Sequence, residues 1–161
     1  MSGVVSSSPT MKSGVVGDFR KGEIIQTVNV LNSDSGSVNS TTYATAQNVS
    51  IVPKRLNSQM YIKFVGNFAV ARSDNNEPVS NIAIFQTNNG TILREAQWRP
   101  AIKTANRGGY HTCILDFLHT PAYTDFTAIV YGIAAKTSAS ATTLYFDDGG
   151  PSSVTVQEIA A

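Results

Sequence analysis

Met60-Tyr61-Ile62-Lys63-Phe64-Val65-Gly66-Asn67-Phe68-Ala69-Val70 is the stretch whose period decides the fold class. Met60, Ile62, Phe64, Phe68 and Val70 alternate with Tyr61, Lys63, Asn67 and Ala69. Alternation with a period of two puts successive side chains on opposite faces of a pleated strand, whereas a helix needs apolar positions three and four apart. The run therefore predicts a long strand that turns Met60, Ile62, Phe64, Phe68 and Val70 into a core.

The same period governs the chain on both sides. Before the run, Gly22-Glu23-Ile24-Ile25-Gln26-Thr27-Val28 opens a segment with Ile24, Val28 and Val30 on one face, interrupted by Gln26 and Asn29. Asn32-Ser33-Asp34-Ser35-Gly36-Ser37 reads as a polar turn, and residues 42–52 as a second extended stretch stopped by Pro53. After the run, residues 82–86 and 91–96 flank Asn88-Asn89-Gly90, and Asn-Gly is a strong hairpin signal. Residues 110–118 and 126–135 are apolar and β-branched, joined by a turn around Pro121. Residues 144–146 and 154–159 complete the set, and Pro100 argues against a helix over 94–106. The count is about eight or nine strands with short turns, which predicts an all-β antiparallel sandwich of jelly-roll type.

Only 14% of the 161 residues are charged, against about a quarter in an average domain. Ser, Thr, Asn and Gly take their place, as suits a surface of hydroxyls and amides or one hidden in an assembly. The net charge is +1 and the cations are scattered, so no basic stripe for nucleic acid is present. A single cysteine, Cys113, excludes an internal disulfide and a multi-cysteine zinc site. Residues 1–21 lack the apolar run of a secretory signal, and no stretch has the length and apolarity to insert in a membrane. The expectation is a protein made in a cytoplasm.

Residues 1–21 differ from the rest. They are rich in Ser, Gly and Val, and Ser-Gly-Val-Val occurs at 2–5 and again at 13–16. Such a segment buries too little apolar area to offset its own ordering. Ahead of a folded domain at 22–161 it reads either as a disordered tail or as an extended N-terminal arm that orders against a neighbouring subunit, with Val4, Val5, Val15 and Val16 as its contacts.

Chemical motifs are scarce. Nucleophile elbows, phosphate loops and zinc-spaced pairs do not occur, so no catalytic, cofactor or metal residues are expected. His111, Cys113, Asp116 and His119 form the best cluster. On a strand, however, His111 and Cys113 share one face and Asp116 takes the other, so a metal site would require a break near Leu118. Asp34-Ser35-Gly36 and Asp147-Asp148-Gly149 have too few carboxylates for calcium and read as turns. Trp98, Arg99 and Tyr110 could together stack on and hydrogen-bond a sugar ring, although a lone Trp is more often worth its burial.

In order along the chain, several pieces resemble the small β-sandwich virion surface proteins of tailed phages. They are the opening at 22–28, a Ser/Thr-rich stretch at 39–48, Val49-Ser50-Ile51-Val52-Pro53, Asn57-Ser58, the 60–70 run and Asn89-Gly90-Thr91. Leu115-Asp116 with Pro121 and Tyr123-Thr124 follows, and the last match is Gly150-Pro151-Ser152-Ser153-Val154-Thr155-Val156-Gln157-Glu158-Ile159. The likeness covers residues 22–159; the 97–109 stretch and the arm fall outside it. It implies a non-enzymatic homotrimer on a virion surface. A capsid decoration or cement protein, or a short head spike, would dock on a major capsid protein or another virion protein through its arm. The alternative it leaves is the receptor-binding tip of a tail fibre, holding a host surface glycan. Asp116 would then accept backbone hydrogen bonds in its turn, and Glu158 would be paired or exposed.

Overall fold

The computed structural model describes residues 20–32, 36–72, 79–98, 111–139, 141–146 and 150–161. These residues form ten strands and no helix: β1 (Ile24–Asn32), β2 (Gly36–Val38), β3 (Ala44–Ile51), β4 (Gln59–Arg72), β5 (Ser80–Gln86), β6 (Thr91–Trp98), β7 (His111–His119), β8 (Ile129–Thr137), β9 (Thr142–Phe146) and β10 (Ser152–Ile159). The period-two run is the heart of β4, the longest strand at 14 residues. Met60, Ile62, Phe64, Phe68 and Val70 are all at most 1% exposed, on the face expected of them.

All pairings are antiparallel. One edge of β4 carries β7, from Met60 opposite His119 to Phe68 opposite His111. The other edge carries β10 along residues 59–65 and then β9 along 68–72. Since β1 pairs with β10 and β2 with β9, β1 and β2 follow one another along the same line, as do β9 and β10. The sheet therefore has four lines, β1/β2, β10/β9, β4 and β7, and packs on a second sheet ordered β3-β8-β5-β6. Ten strands thus collapse to eight lines; the β5–β6 hairpin stays within the second sheet, and every other step from line to line crosses between the sheets, the double Greek key of a jelly roll. The core between the sheets joins Ile62, Phe64 and Val156 of the first to Ile51, Ile84 and Ile133 of the second.

Two readings need correction. Leu115 and Asp116 lie in the middle of β7 rather than in a turn, because the chain turns only after His119. The polar segment after Asn32 also yields a strand, β2, which is three residues long and gains its backbone partners from β9. Residues 94–98 of the doubtful helical stretch are strand, in β6; residues 99–106 lie outside the described residues.

Gly66 is the inward position of β4 that the alternation leaves empty. A Cβ there would lie 2.3 Å from the Phe64 ring, so the absence of a side chain is what lets Phe64 fold along its own strand and meet Phe68 at 5.7 Å between ring centroids, tilted by 46°. Phe68 in turn meets Phe146 edge-on at 5.2 Å. Where the chain enters and leaves the domain, Gly22 N–H donates to Ala160 O at 2.7 Å and Ala160 N–H to Glu23 O at 2.9 Å.

Phe64→Ala should destabilise the domain by about 3–5 kcal/mol, read from denaturant midpoints. Gly66→Ala should also destabilise it, by pushing the Phe64 ring off Phe68. A loss below about 1 kcal/mol for Phe64→Ala would refute the packing described here.

Candidate functional site and interaction surfaces

The His111, Cys113, Asp116 and His119 cluster does not converge. β7 runs unbroken to His119, so Asp116 stays on the outer face, where its Oδ2 accepts from the Tyr61 hydroxyl at 3.0 Å. It does not serve turn amides. Cys113 packs half-buried against the core, and burial pushes its thiol pKa up, away from reactivity. His119 places Nδ1 2.9 Å from the hydroxyl of the buried Tyr131 on the other sheet, ring edge to ring face. No group of three His, Cys, Asp or Glu side chains suited to a metal exists among the described residues.

Burial lowers the His119 pKa from its ordinary 6.5. The unfolded chain therefore takes up a proton that the folded one resists. This contribution to stability is complete above about 6.5 and is lost as pH falls through that value toward the lower folded one. The groups facing the ring, Tyr131 and Phe117, carry no charge in this range. Between about pH 7 and pH 5 the urea midpoint of the native chain should fall more than that of His119→Gln. Equal falls would show that His119 does not carry the effect.

Glu158 is fully buried. It follows Val154 and Val156 on the inward face of β10 and ties one end of the sandwich together. Its carboxylate accepts from Lys54 N at 2.9 Å, Arg55 N at 2.9 Å and Gln26 Nε2 at 2.7 Å. Gln26 also donates to Val52 O at 2.6 Å. The loop at 52–58 is held from the opposite side as well: Tyr123 donates its hydroxyl to Arg55 O at 2.6 Å and accepts from Ser58 N at 3.0 Å. The interruption at Gln26 in β1 is thus a partner for Glu158. Inward parity in β10 was the sequence signal for a buried glutamate; its loop partners, over a hundred residues away, gave none. Glu158→Gln turns an amide N–H toward backbone N–H donors and should cost about 1–3 kcal/mol. A midpoint unchanged from the native chain would show that the loop does not depend on the carboxylate.

The outward face of the larger sheet is built in cross-strand rows. Leu31, Ser153, Val65 and Ile114 form one row, and Asn29, Thr155, Lys63 and Asp116 the next. Its polar groups are largely paired within the face: Asn29 Nδ2 donates to Thr155 Oγ1 at 2.7 Å, Thr112 Oγ1 to Asn67 Oδ1 at 2.7 Å, and Tyr61 to Asp116. Leu31 is 71% exposed, Ile114 62% and Leu118 48%. The outer edge of β7 pairs with no strand among the described residues.

Most of the residues singled out for docking and for glycan contact fall outside the described ones. Val4, Val5, Val15, Val16, Arg99 and Tyr110 lie outside the described residues, as do Asp34, Ser35 and residues 147–149. Trp98 ends β6 with its backbone opposite Ser80.

No protein-family model matches the chain, and no curated protein does. Among solved structures, it is similar to that of the Gt strain of infectious bursal disease virus, at 14% identity and a TM-score of 0.42, over 98% of this chain and 42% of that one. It is similar also to the T=1 particles derived from that virus, at 13% identity and a TM-score of 0.39, over 98% and 40%. The T13 particle of the virus gives 13% and 0.36, over 98% and 39%. The chain thus spans about two-fifths of the length of these structures. Superposition at this level assigns neither a family nor a function.

Proposed function

We propose that this protein is a non-enzymatic structural component of a tailed-phage virion surface, a homotrimer that decorates or cements the capsid or forms a short head spike. The observation that carries the reading is the outward face of the larger sheet. Removing a polar group from water is costly unless its hydrogen bonds survive. On this face Asn29, Thr155, Asn67, Thr112, Tyr61 and Asp116 already bond one another, so it can be dehydrated cheaply. Lys63 sits directly opposite Asp116 in the register, so the face is nearly neutral. Leu31, Ile114 and Leu118 supply the apolar contact. A second copy of the chain suits such a face. The order of matched pieces over residues 22–159 supports the phage context and the trimer.

In native buffer, light scattering should give three times the 17.2 kDa chain mass. Leu31→Lys combined with Ile114→Lys should shift the protein toward monomer without lowering its thermal midpoint below that of the dissociated native chain. A native mass of one chain would end the trimer reading.

The arm, residues 1–21, is proposed to attach the trimer to the particle through Val4, Val5, Val15 and Val16. Each valine can contribute about 1.5–3 kcal/mol if fully buried on a partner. Three arms acting together raise the effective concentration and so multiply a weak contact. A chain shortened to begin at Gly22 should fold and trimerise yet fail to bind particles stripped of the protein. Binding equal to that of the full chain would move the docking surface onto the sandwich.

A further inference from the structure

The outward face of the smaller sheet differs from that of the larger one. Its central positions are small: Ala83, Gly132 and Ala134 point outward yet are buried. Two β-bulges interrupt the sheet beside them, one between Thr45 and Gln47 against β8 and one between Ile84 and Phe85 against β6. Bulges re-aim side chains, and here both adjoin one slot of about 210 Å³, lined by Tyr43, Thr45, Phe85, Gly90, Ile92 and Ala134.

The two aromatic walls are held in place. A Cβ at Gly132 would lie 2.4 Å from the Phe85 ring and 2.6 Å from Asn48 Oδ1, so the bare backbone there is what admits Phe85. Lys136 Nζ sits 4.5 Å from the centroid of the Tyr43 ring. Lys136 also lies 4.0 Å from Glu95 Oε1, the same oxygen that accepts from Asn81 Nδ2. The Tyr43 hydroxyl is buried and approaches Glu95 without closing a hydrogen bond of ordinary geometry. Burial first, and the Glu95 carboxylate second, hold the phenol proton on. Amides and hydroxyls adjoin the lining residues: Asn89 and Thr91 flank Gly90, with Asn89 Oδ1 accepting from Thr91 N at 3.0 Å, and Asn48 Oδ1, which faces Gly132 as the Phe85 ring does, accepts from Thr87 Oγ1 at 3.4 Å.

We infer that this slot is a binding site for a single neutral sugar ring. Its volume is below the roughly 300 Å³ at which pockets for drug-sized ligands begin, so it takes one ring. No charged side chain lines it, and the nearby Lys136 and Glu95 face each other, so a neutral ligand suits it better than an ionic one. A pyranose has an apolar C–H face and a rim of hydroxyls, matching the aromatic walls and alanine floor inside and the amides and hydroxyls outside. A protein anchor fits less well. It would need apolar surface continuing past the slot, and on the strands of this sheet Ile92, at 44%, is the one large exposed apolar side chain among the described residues. The site is independent of the structural role proposed above, because it lies on the smaller sheet and the proposed contact face on the larger one.

The test is titration of the isotope-labelled full chain with the methyl glycosides of glucose, galactose, mannose and N-acetylglucosamine, followed by amide NMR. At least one should give saturable shifts centred on Thr45, Phe85, Ile92 and Ala134, with a Kd of about 1–10 mM, as expected for a ligand with few atoms. Phe85→Ala should weaken binding at least about tenfold. Since that change removes a packed ring, Ala134→Leu serves as the second variant: it fills the slot from its floor and should abolish the shifts while the rest of the spectrum stays native. Absence of shifts with all four glycosides at tens of millimolar, or shifts elsewhere on the surface, would overturn the assignment. So would a peptide of residues 1–19 perturbing the slot where the glycosides do not, since that would make it a protein anchor pocket.

Discussion

Every line of the larger sheet takes its place from β4. β7, β10 and β9 bond to it directly, and β1 and β2 bond through β10 and β9. Because side chains alternate at each residue, a slip of one residue in β4 would turn Phe64 and Phe68 outward and reverse the faces of its neighbours as well. The register of this one strand is therefore the constraint on which the first sheet rests. Gly66 secures it from inside: the Phe64 ring occupies the space a side chain would need, and the ring chain through Phe68 to Phe146 then links β4 to β9.

What could be read from the sequence follows from this. A period of two over eleven residues is a local signal, and it placed the core face of β4 correctly. The Asn-Gly hairpin and the inward valines of β10 were equally local. β2 was not legible, because three residues have no period and owe their conformation to β9. Leu115-Asp116 was read with Pro121 as one turn, although Leu115 is the buried centre of β7 and only the residues past His119 bend. The contacts that distinguish this chain were invisible for another reason. Gln26 with Glu158 and His119 with Tyr131 join different strands, Tyr43 with Lys136 joins the residue ahead of β3 to β8, and such pairs leave no spacing to recognise. The arm valines and the Arg99 and Tyr110 pair lie outside the described residues, so the structure neither gathers nor separates them.

The two outward faces solve the problem of a sparsely charged surface in opposite ways. On the larger sheet, short polar side chains bond one another and leave exposed apolar side chains among them, Leu31, Ile114 and Leu118 included. On the smaller sheet, Glu95 and Lys136 face each other beside Asn81 and Tyr43, and bulges with tiny residues open a hollow next to them. The first arrangement suits a broad dry contact. The second suits a small guest with a wet rim.

The hydrogen bonds between Gly22, Glu23 and Ala160 have a consequence of another kind. They bring the incoming and outgoing chain to one point, on the end of the sandwich that Glu158 ties. Topologically the domain is then almost a closed loop, so its strand pairings do not depend on where that loop is cut. The ends could be spliced by a short linker and the polypeptide reopened at the Asn89-Gly90 hairpin with every ladder intact. By the same geometry the whole unit could be grafted into a surface turn of a host protein and need only a narrow gap there. Such a fold travels easily between larger proteins, because it asks of each new host only two neighbouring points of attachment.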